Sequence, residues 1–325
     1  MKALCVSLSS GTRYDFRSYV PKPKGNPLNV LVEVWGSSIN HMDSFAPQIP
    51  PYRLLRNGRP GGFDFAGRVI DTGSQIRHFN VGDRVYGFAP SFCEYTTAYP
   101  WLISRVPDSI EDLSSMACYP SVAGTALQIL RKHWLFPRRI VSRLLVIGAS
   151  GGVGSSIVQL ARHYGGRDTH VSAVASGRNS EYCSSLGADK FVDYRKTKGI
   201  SCAFPAGSFD LIIDTVSGNP GVPNYVPDAL SLRSPNGTYV CTNSLNPQDY
   251  IRKFTGLQRR GFDLFVMNPF GAASRELPEI SRLVESGKLK LRTEQEVPFE
   301  DEPLMRAMKH FNERHTQGKM HIRLR

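Results

Sequence analysis

Short runs of alternating apolar and polar residues dominate the first third of this 325-residue chain, at 29–35, 67–71, 84–87 and 93–99, with a further strand-like run at 1–6. Gly, Pro and Asp turns separate them, which predicts a β-rich domain over 1–120. From about residue 121 the rhythm changes. Apolar, β-branched runs near 144–148, 170–175, 191–193, 209–214 and 238–242 alternate with stretches of helical period. Strands separated by helices predict a doubly wound parallel sheet, here over 121–264. An apolar run at 262–267 predicts the edge strand of that sheet. Two helical stretches, about 275–286 and 301–315, and a strand near 319–324 predict a return to the first domain over 265–325. The expected fold class is therefore α/β, a doubly wound parallel sheet plus a second, β-rich domain.

One stretch carries chemistry. Leu144-Leu145-Val146-Ile147-Gly148-Ala149-Ser150-Gly151-Gly152-Val153-Gly154 runs straight into Ser155-Ser156-Ile157-Val158-Gln159-Leu160-Ala161. A buried strand, a glycine turn and an amphipathic helix stand where a dinucleotide-binding turn needs them. Ser150 and Gly151 form the turn, Gly152 and Val153 offer backbone N–H groups to a pyrophosphate, and Gly154 lets the helix pack close to the strand. Ala149 stands where the first glycine is usual, as a small residue that a tight turn accepts.

A carboxylate that selects NAD is expected roughly 20 residues on, at the end of the next strand. The strand 170–175 ends instead in Ser176-Gly177-Arg178-Asn179. A hydroxyl and a guanidinium suit the 2′-phosphate of NADPH, and Tyr194, after the following strand, is placed to close over the same phosphate. The plain alternative for Arg178 is a solvated loop cation.

Composition narrows the class. No run of about 18 apolar residues suggests a membrane span. The chain's six cysteines are scattered without a CxxC pair, as in proteins of a reducing compartment. The strand-like run at 1–6 leaves no room for a leader, so a cytoplasmic location is expected, or a mitochondrial one if a presequence was removed. A net charge of +12 invites a nucleic-acid reading. The basic residues are dispersed, however, and the pairs at Arg138-Arg139 and Arg259-Arg260 lack interleaved aromatics. Nucleic acid is not the expected partner.

Nearly the whole chain resembles the medium-chain dehydrogenase/reductases, and within them the zinc-free quinone oxidoreductase branch, including reticulon-interacting mitochondrial NAD(P)H oxidoreductase-like proteins. Asn40-His41-Met42-Asp43 resembles the Asn-x-x-Asp motif. Gly61-Gly62-Phe63-Asp64-Phe65-Ala66-Gly67 and Gly82-Asp83-Arg84-Val85 resemble the family's paired glycine–aspartate segments. Gly124-Thr125-Ala126, the strand 209–214 with Thr215-Val216-Ser217-Gly218, the strand 265–267 and Gly318-Lys319-Met320-His321-Ile322 are similar as well. The resemblance implies a GroES-like fold for the β-rich domain and a Rossmann fold for the other. It also implies cofactor contacts from Thr125, Val216, Phe265 and Met267. Asn40 and Tyr52 are implied at the mouth of the cleft between the domains, as the catalytic pair. Plain alternatives are a turn cap for Asn40 and a surface tyrosine for Tyr52, read here in a loop at 45–60. Where zinc alcohol dehydrogenases carry Cys and His-Glu, this chain has Ser38-Ile39-Asn40-His41 and Phe63-Asp64, and the four-cysteine lobe is absent, so no metal is expected. His41 beside Asp43 reads as a turn held by side-chain hydrogen bonds.

The resulting expectation is an NADPH-dependent, metal-free enzyme that delivers hydride to a quinone or α,β-unsaturated carbonyl, working as a homodimer through its edge strand. The alternative is an NADPH-binding structural, RNA-binding or mitochondrial-assembly protein with weak reductase activity.

Overall fold

The structure is a computed structural model that describes residues 1–8, 13–135, 140–219, 221–244, 246–313 and 316–325. Arg138-Arg139 and the last two residues of the helix expected over 301–315 lie outside the described residues. The chain divides into two compact units. One comprises Met1–Gly124, Asn268–Gly287 and Leu291–Arg325, the other Thr125–Met267 and Lys288–Lys290.

In the first unit β1 (Ala3–Val6) pairs antiparallel with β2 (Tyr14–Arg17). The long β3 (Val30–Ser38) follows, with Val30, Val32 and Val34 buried at every second position, so one face of the strand builds the core. A short helix, α1 (His41–Phe45), leads into the stretch 45–60 expected to be a loop, and a second, α2 (Pro50–Arg56), occupies much of it. Pro at the start of α2 presets its first turn, a helix signal that outweighs the stretch's lack of apolar period. β4 (Asp64–Thr72), β5 (Arg84–Phe88), β6 (Tyr95–Ala98) and β7 (Ile103–Arg105) complete this part.

The second unit begins within α3 (Pro120–Leu130). It then alternates β8 (Arg143–Ile147), α4 (Gly152–Gly165), β9 (His170–Ala175), α5 (Ser180–Ser185), β10 (Lys190–Asp193), β11 (Phe209–Asp214), α6 (Val226–Leu232), β12 (Arg233–Cys241), α7 (Pro247–Thr255) and β13 (Phe262–Leu264). Among the described residues its strands form one six-stranded sheet in the order β10-β9-β8-β11-β12-β13, every pairing parallel. This is the doubly wound arrangement, whose direction of winding reverses between β8 and β11. Leu145, Ile147, Ile212, Tyr239 and Leu264 share its core.

The edge strand is shorter than the expected 262–267. Phe265 still donates its N–H to Cys241 O (2.7 Å), but Asn268 then caps a helix through Oδ1, which accepts from Phe270 N and Gly271 N (3.1 and 3.3 Å). Pro269 at the first helical position cannot extend a ladder. The same signals start α8 (Pro269–Glu285) well before the expected 275. β14 (Thr293–Pro298), α9 (Asp301–Asn312) and β15 (Lys319–Arg323) follow, and in the first unit the strand order is β14-β15-β3-β4-β5-β7, with β6 on β3. Among the described residues no helix is long and apolar enough to cross a membrane.

Candidate functional site

The turn at the reversal point of the parallel sheet is built by close backbone approach. Gly148 takes φ +81°, and a Cβ there would fall 2.4 Å from Thr215 Oγ1 and 2.6 Å from Val216 Cγ2. The tight conformation thus belongs to Gly148, one residue before Ala149, which is fully buried. At Gly154 a Cβ would lie 2.2 Å from Gly148 O, so this glycine lets α4 sit on the strand end, as its spacing predicts. Gly151 is the N-cap of α4 and supplies no side chain to cap it. The amides of Gly152, Val153 and Gly154 open the helix, where no carbonyl one turn earlier can accept from them. A helix start without a side-chain cap, in a glycine cradle, fits a phosphate.

The neighbouring strand end is tied to this turn. Ser150 and Ser176 are both buried, and Asn179 donates from Nδ2 to each hydroxyl oxygen, at 2.9 and 3.0 Å. Arg178 stands exposed on the same turn. Tyr194 donates its N–H to Ala175 O (3.3 Å), which sets it beside the end of β9. Its ring meets Tyr225 edge-on at 6.4 Å and carries the Arg195 guanidinium at 5.7 Å.

Two residues escaped the sequence reading. Asn179 bridges the two turns. Asp193, at the end of β10, lies against Gly177, where a Cβ would come within 2.4 Å of its Oδ2. An acid therefore stands beside the turn after all, delivered by the next strand through parallel pairing of Asp193 with Ala175. Strand pairing, invisible along a single run of residues, was the missing signal.

Across the reversal point, Asp214 is completely buried and shapes the loop after β11. Its Oδ1 accepts from Val216 N and Ser217 N, both at 2.9 Å, and its Oδ2 accepts from Tyr239 OH at 2.9 Å. Val216 is thereby held against the Gly148 turn. Phe265 is buried just past β13 with the Lys253 ammonium 5.9 Å from its ring, Met267 is half-buried, and Thr125 is half-buried on α3.

The first unit holds a separate polar cluster. Pairing of Ser38 with Asp64, and of β15 with β3, brings the starts of β4 and β15 to the end of β3. Lys319, only 3 % exposed, donates to Asn40 Oδ1 (2.7 Å) and Ile39 O (3.0 Å). Asn40 Nδ2 donates to Asp64 Oδ2 (3.0 Å), and Ser121 donates to Asp64 from Oγ (2.6 Å) and N (3.2 Å). Asp43 Oδ2 accepts from Asn40 N at 2.7 Å. Burial pushes the Asp43 carboxyl up to about 7, and burial also raises Asp64, against the pull of the Lys319 charge. Tyr52 lies on α2, half-buried against the core around Leu4, Val6 and Phe92. Among the described residues no group of three His, Cys, Asp or Glu side chains is arranged to hold a metal ion.

Comparison with known proteins agrees with both units. Residues 26–104 match the alcohol dehydrogenase GroES-like domain, and residues 186–320 match a family described as zinc-binding dehydrogenase. A trans-enoyl reductase of Aspergillus terreus is 28 % identical over 352 residues, covering 100 % of this chain and 96 % of its own. A mitochondrial NAD(P)H oxidoreductase of Homo sapiens is 29 % identical over 329 residues, covering 90 % and 81 %. The quinone oxidoreductase structure from Coxiella burnetii superposes with a TM-score of 0.81 at 24 % identity, covering 100 % and 99 %. With a GroES-like β domain, a doubly wound parallel sheet and relatives aligned over nearly its whole length, the chain belongs to the medium-chain dehydrogenase/reductase superfamily.

Proposed function

We propose that this protein is an NADPH-dependent oxidoreductase that reduces quinones or α,β-unsaturated carbonyls without a metal ion. One observation carries the reading: a glycine-cradled helix start without a side-chain cap, at the reversal point of a parallel sheet ordered 3-2-1-4-5-6. The names of the enoyl reductase and NAD(P)H oxidoreductase relatives point the same way.

The zinc in the matched family's description does not fit the residues present. Around Asp64 stand an amide, two serine hydroxyls and a lysine ammonium, with no thiolate or imidazole bonded to it. A tetrahedral zinc site draws on such ligands, and the positive charge of Lys319, near enough to lower the Asp64 pKa, would oppose a metal cation there.

A reduced nicotinamide supplies the hydride when bound. The amides of Gly152 and Val153 would hold its pyrophosphate, Ser150 and Gly151 would shape that turn, and Ser176, Arg178 and Tyr194 would meet the 2′-phosphate. Thr125, Val216, Phe265 and Met267 are the proposed contacts nearer the nicotinamide. In the first unit, Tyr52 is proposed to donate a hydrogen bond to the acceptor oxygen as negative charge develops there. Asn40, whose amide is engaged by Asp64 and Lys319 at its two ends, is proposed to position that region. β13, the last strand on its side among the described residues, offers an edge through which a homodimer would form. A monomeric mass by light scattering at micromolar concentration would remove the dimer.

The test is a screen of quinones and enones with NADPH consumption as readout. Turnover that persists in chelator supports the proposal. Tight NADPH binding with no turnover on any acceptor, together with salt-sensitive RNA retention, overturns it in favour of a binding role.

A further inference from the structure

Asn179 occupies an unusual position among the groups around the glycine turn. It is 3 % exposed, sits between the turn after β8 and the turn after β9, and touches both through one nitrogen. Its other amide atom, Oδ1, is buried with no hydrogen-bond partner among the described residues. An amide nitrogen carries two hydrogens and no lone pair for accepting, so both Ser150 and Ser176 must accept from it. Each serine hydroxyl has a single proton. Neither proton is directed at Asn179, and each remains to be donated elsewhere.

The reverse orientation of the amide would let both serines donate inward to Oδ1. It would also bury the NH2 group with two unmet N–H donors in place of an unmet carbonyl oxygen, the costlier arrangement because buried N–H groups without a partner are the rarer and less tolerated. The burial of Asn179 therefore selects a direction for both hydroxyls.

We infer that Asn179 is a positioning residue for the dinucleotide. By donating to Ser150 Oγ and Ser176 Oγ together, it presents both O–H groups as donors to an anionic ligand, Ser150 toward the pyrophosphate and Ser176 toward the 2′-phosphate. The inference rests on the cofactor reading above and adds to it a group that touches no ligand itself. It also explains why a buried carbonyl goes unpartnered: the orphaned Oδ1 is the cost of aiming two donors at a charged group, whose hydrogen bonds are stronger than neutral ones.

The experiment measures Kd for NADPH and NADH by fluorescence titration in the wild type, Asn179→Ala, Ser150→Ala/Ser176→Ala and the triple variant, with melting temperature recorded for each. With the hydroxyls no longer oriented, Asn179→Ala is expected to weaken NADPH by about tenfold and NADH by about threefold, since only NADPH engages both serines. In the serine-free background the same substitution should change neither affinity further. Asn179→Asp, whose carboxylate accepts from both hydroxyls and turns their protons inward, should exceed Asn179→Ala for NADPH. If Asn179→Ala does not fold, Asn179→Ser takes its place in the cycle. Equal losses for the two cofactors, or an Asn179 effect that persists undiminished without the serines, would overturn the inference while leaving the cofactor reading intact. A wild type that binds neither NADPH nor NADH would overturn both.

Discussion

Removing the Lys319 ammonium tests whether the polar cluster of the first unit is an electrostatic unit or only packing. Lys319→Met keeps the length and apolar stem of the side chain and deletes its charge. Asn40 Oδ1 and Ile39 O each lose a donor, at 2.7 and 3.0 Å, and the completely buried Asp64 loses the charge that most lowers its pKa. Leaving two buried acceptors without a donor costs about 1–3 kcal/mol each, about 2–6 kcal/mol together, which in a domain of this size lowers Tm by about 4–24 °C. The cost depends on pH, and its sign follows from linkage. Burial already raises the folded-state pKa of Asp64 above the unfolded value, so the folded state holds its proton where the unfolded state has released it. Stability then falls as pH rises from the unfolded value to the raised one. Without the cation that window widens upward. The variant escapes an orphan charge by protonating Asp64 more readily toward pH 5 than toward pH 8, where it bears more of the cost. Thermal unfolding of wild type and Lys319→Met at both pH values should show the larger gap at pH 8. Lys319→Met/Asp64→Asn should recover at least half of it. The same loss at both pH values, with no recovery in the double variant, would refute the electrostatic account.

Gly154→Ala brings a Cβ within 2.2 Å of Gly148 O and 2.8 Å of Ala149 Cα, both backbone atoms that cannot swing aside. Its overpacking cost of about 1–3 kcal/mol should show as a lower Tm with lost cofactor binding, while Gly151→Ala, whose Cβ comes no nearer than 3.5 Å to Gly148 O, should melt like the wild type. Arg178→Ala should raise KM for NADPH by about tenfold or more and leave NADH nearly unchanged; a variant that loses both cofactors alike would show that this turn does not read the phosphate. Asp193→Asn removes a carboxylate from beside Gly177 and should raise the preference for NADPH over NADH by up to about tenfold, measured as the ratio of kcat/KM values; an unchanged ratio would mean the acid is only structural. Asp43, held near 7 by burial, makes the folded state less stable as pH rises from about 4 to about 7. Asp43→Asn should match the wild type near pH 4 and exceed it by about 4 kcal/mol above pH 8, and parallel denaturation profiles for the two proteins would show that the carboxyl does not titrate in that window.

The glycine turn, the alternation of strands and helices after residue 121 and the β-rich character of the first third were legible in the sequence because each depends on local pattern. A strand buried on both faces needs a continuous apolar run, and a helix that packs on a strand end needs Gly154 where it stands, whatever the rest of the fold does. Polar residues whose partners lie far along the chain were not legible. Nothing in Gly318-Lys319-Met320 announces a buried ammonium; it becomes one because antiparallel pairing of β15 with β3 delivers Lys319 to Asn40, 279 residues away. Asp193 reached the turn after β9 because parallel pairing sets neighbouring strand ends side by side, so the acid sought after one strand arrived from the next. The stretch at 45–60 holds α2 and, before it, a single 3-10 turn at Ala46–Gln48 where a loop was expected, since short helical turns with proline at their start need little apolar periodicity. Tertiary structure alone decided the direction of the Ser150 and Ser176 hydroxyls: a hydroxyl proton rotates to suit its surroundings, and only burial of Asn179 between the two turns turns both outward.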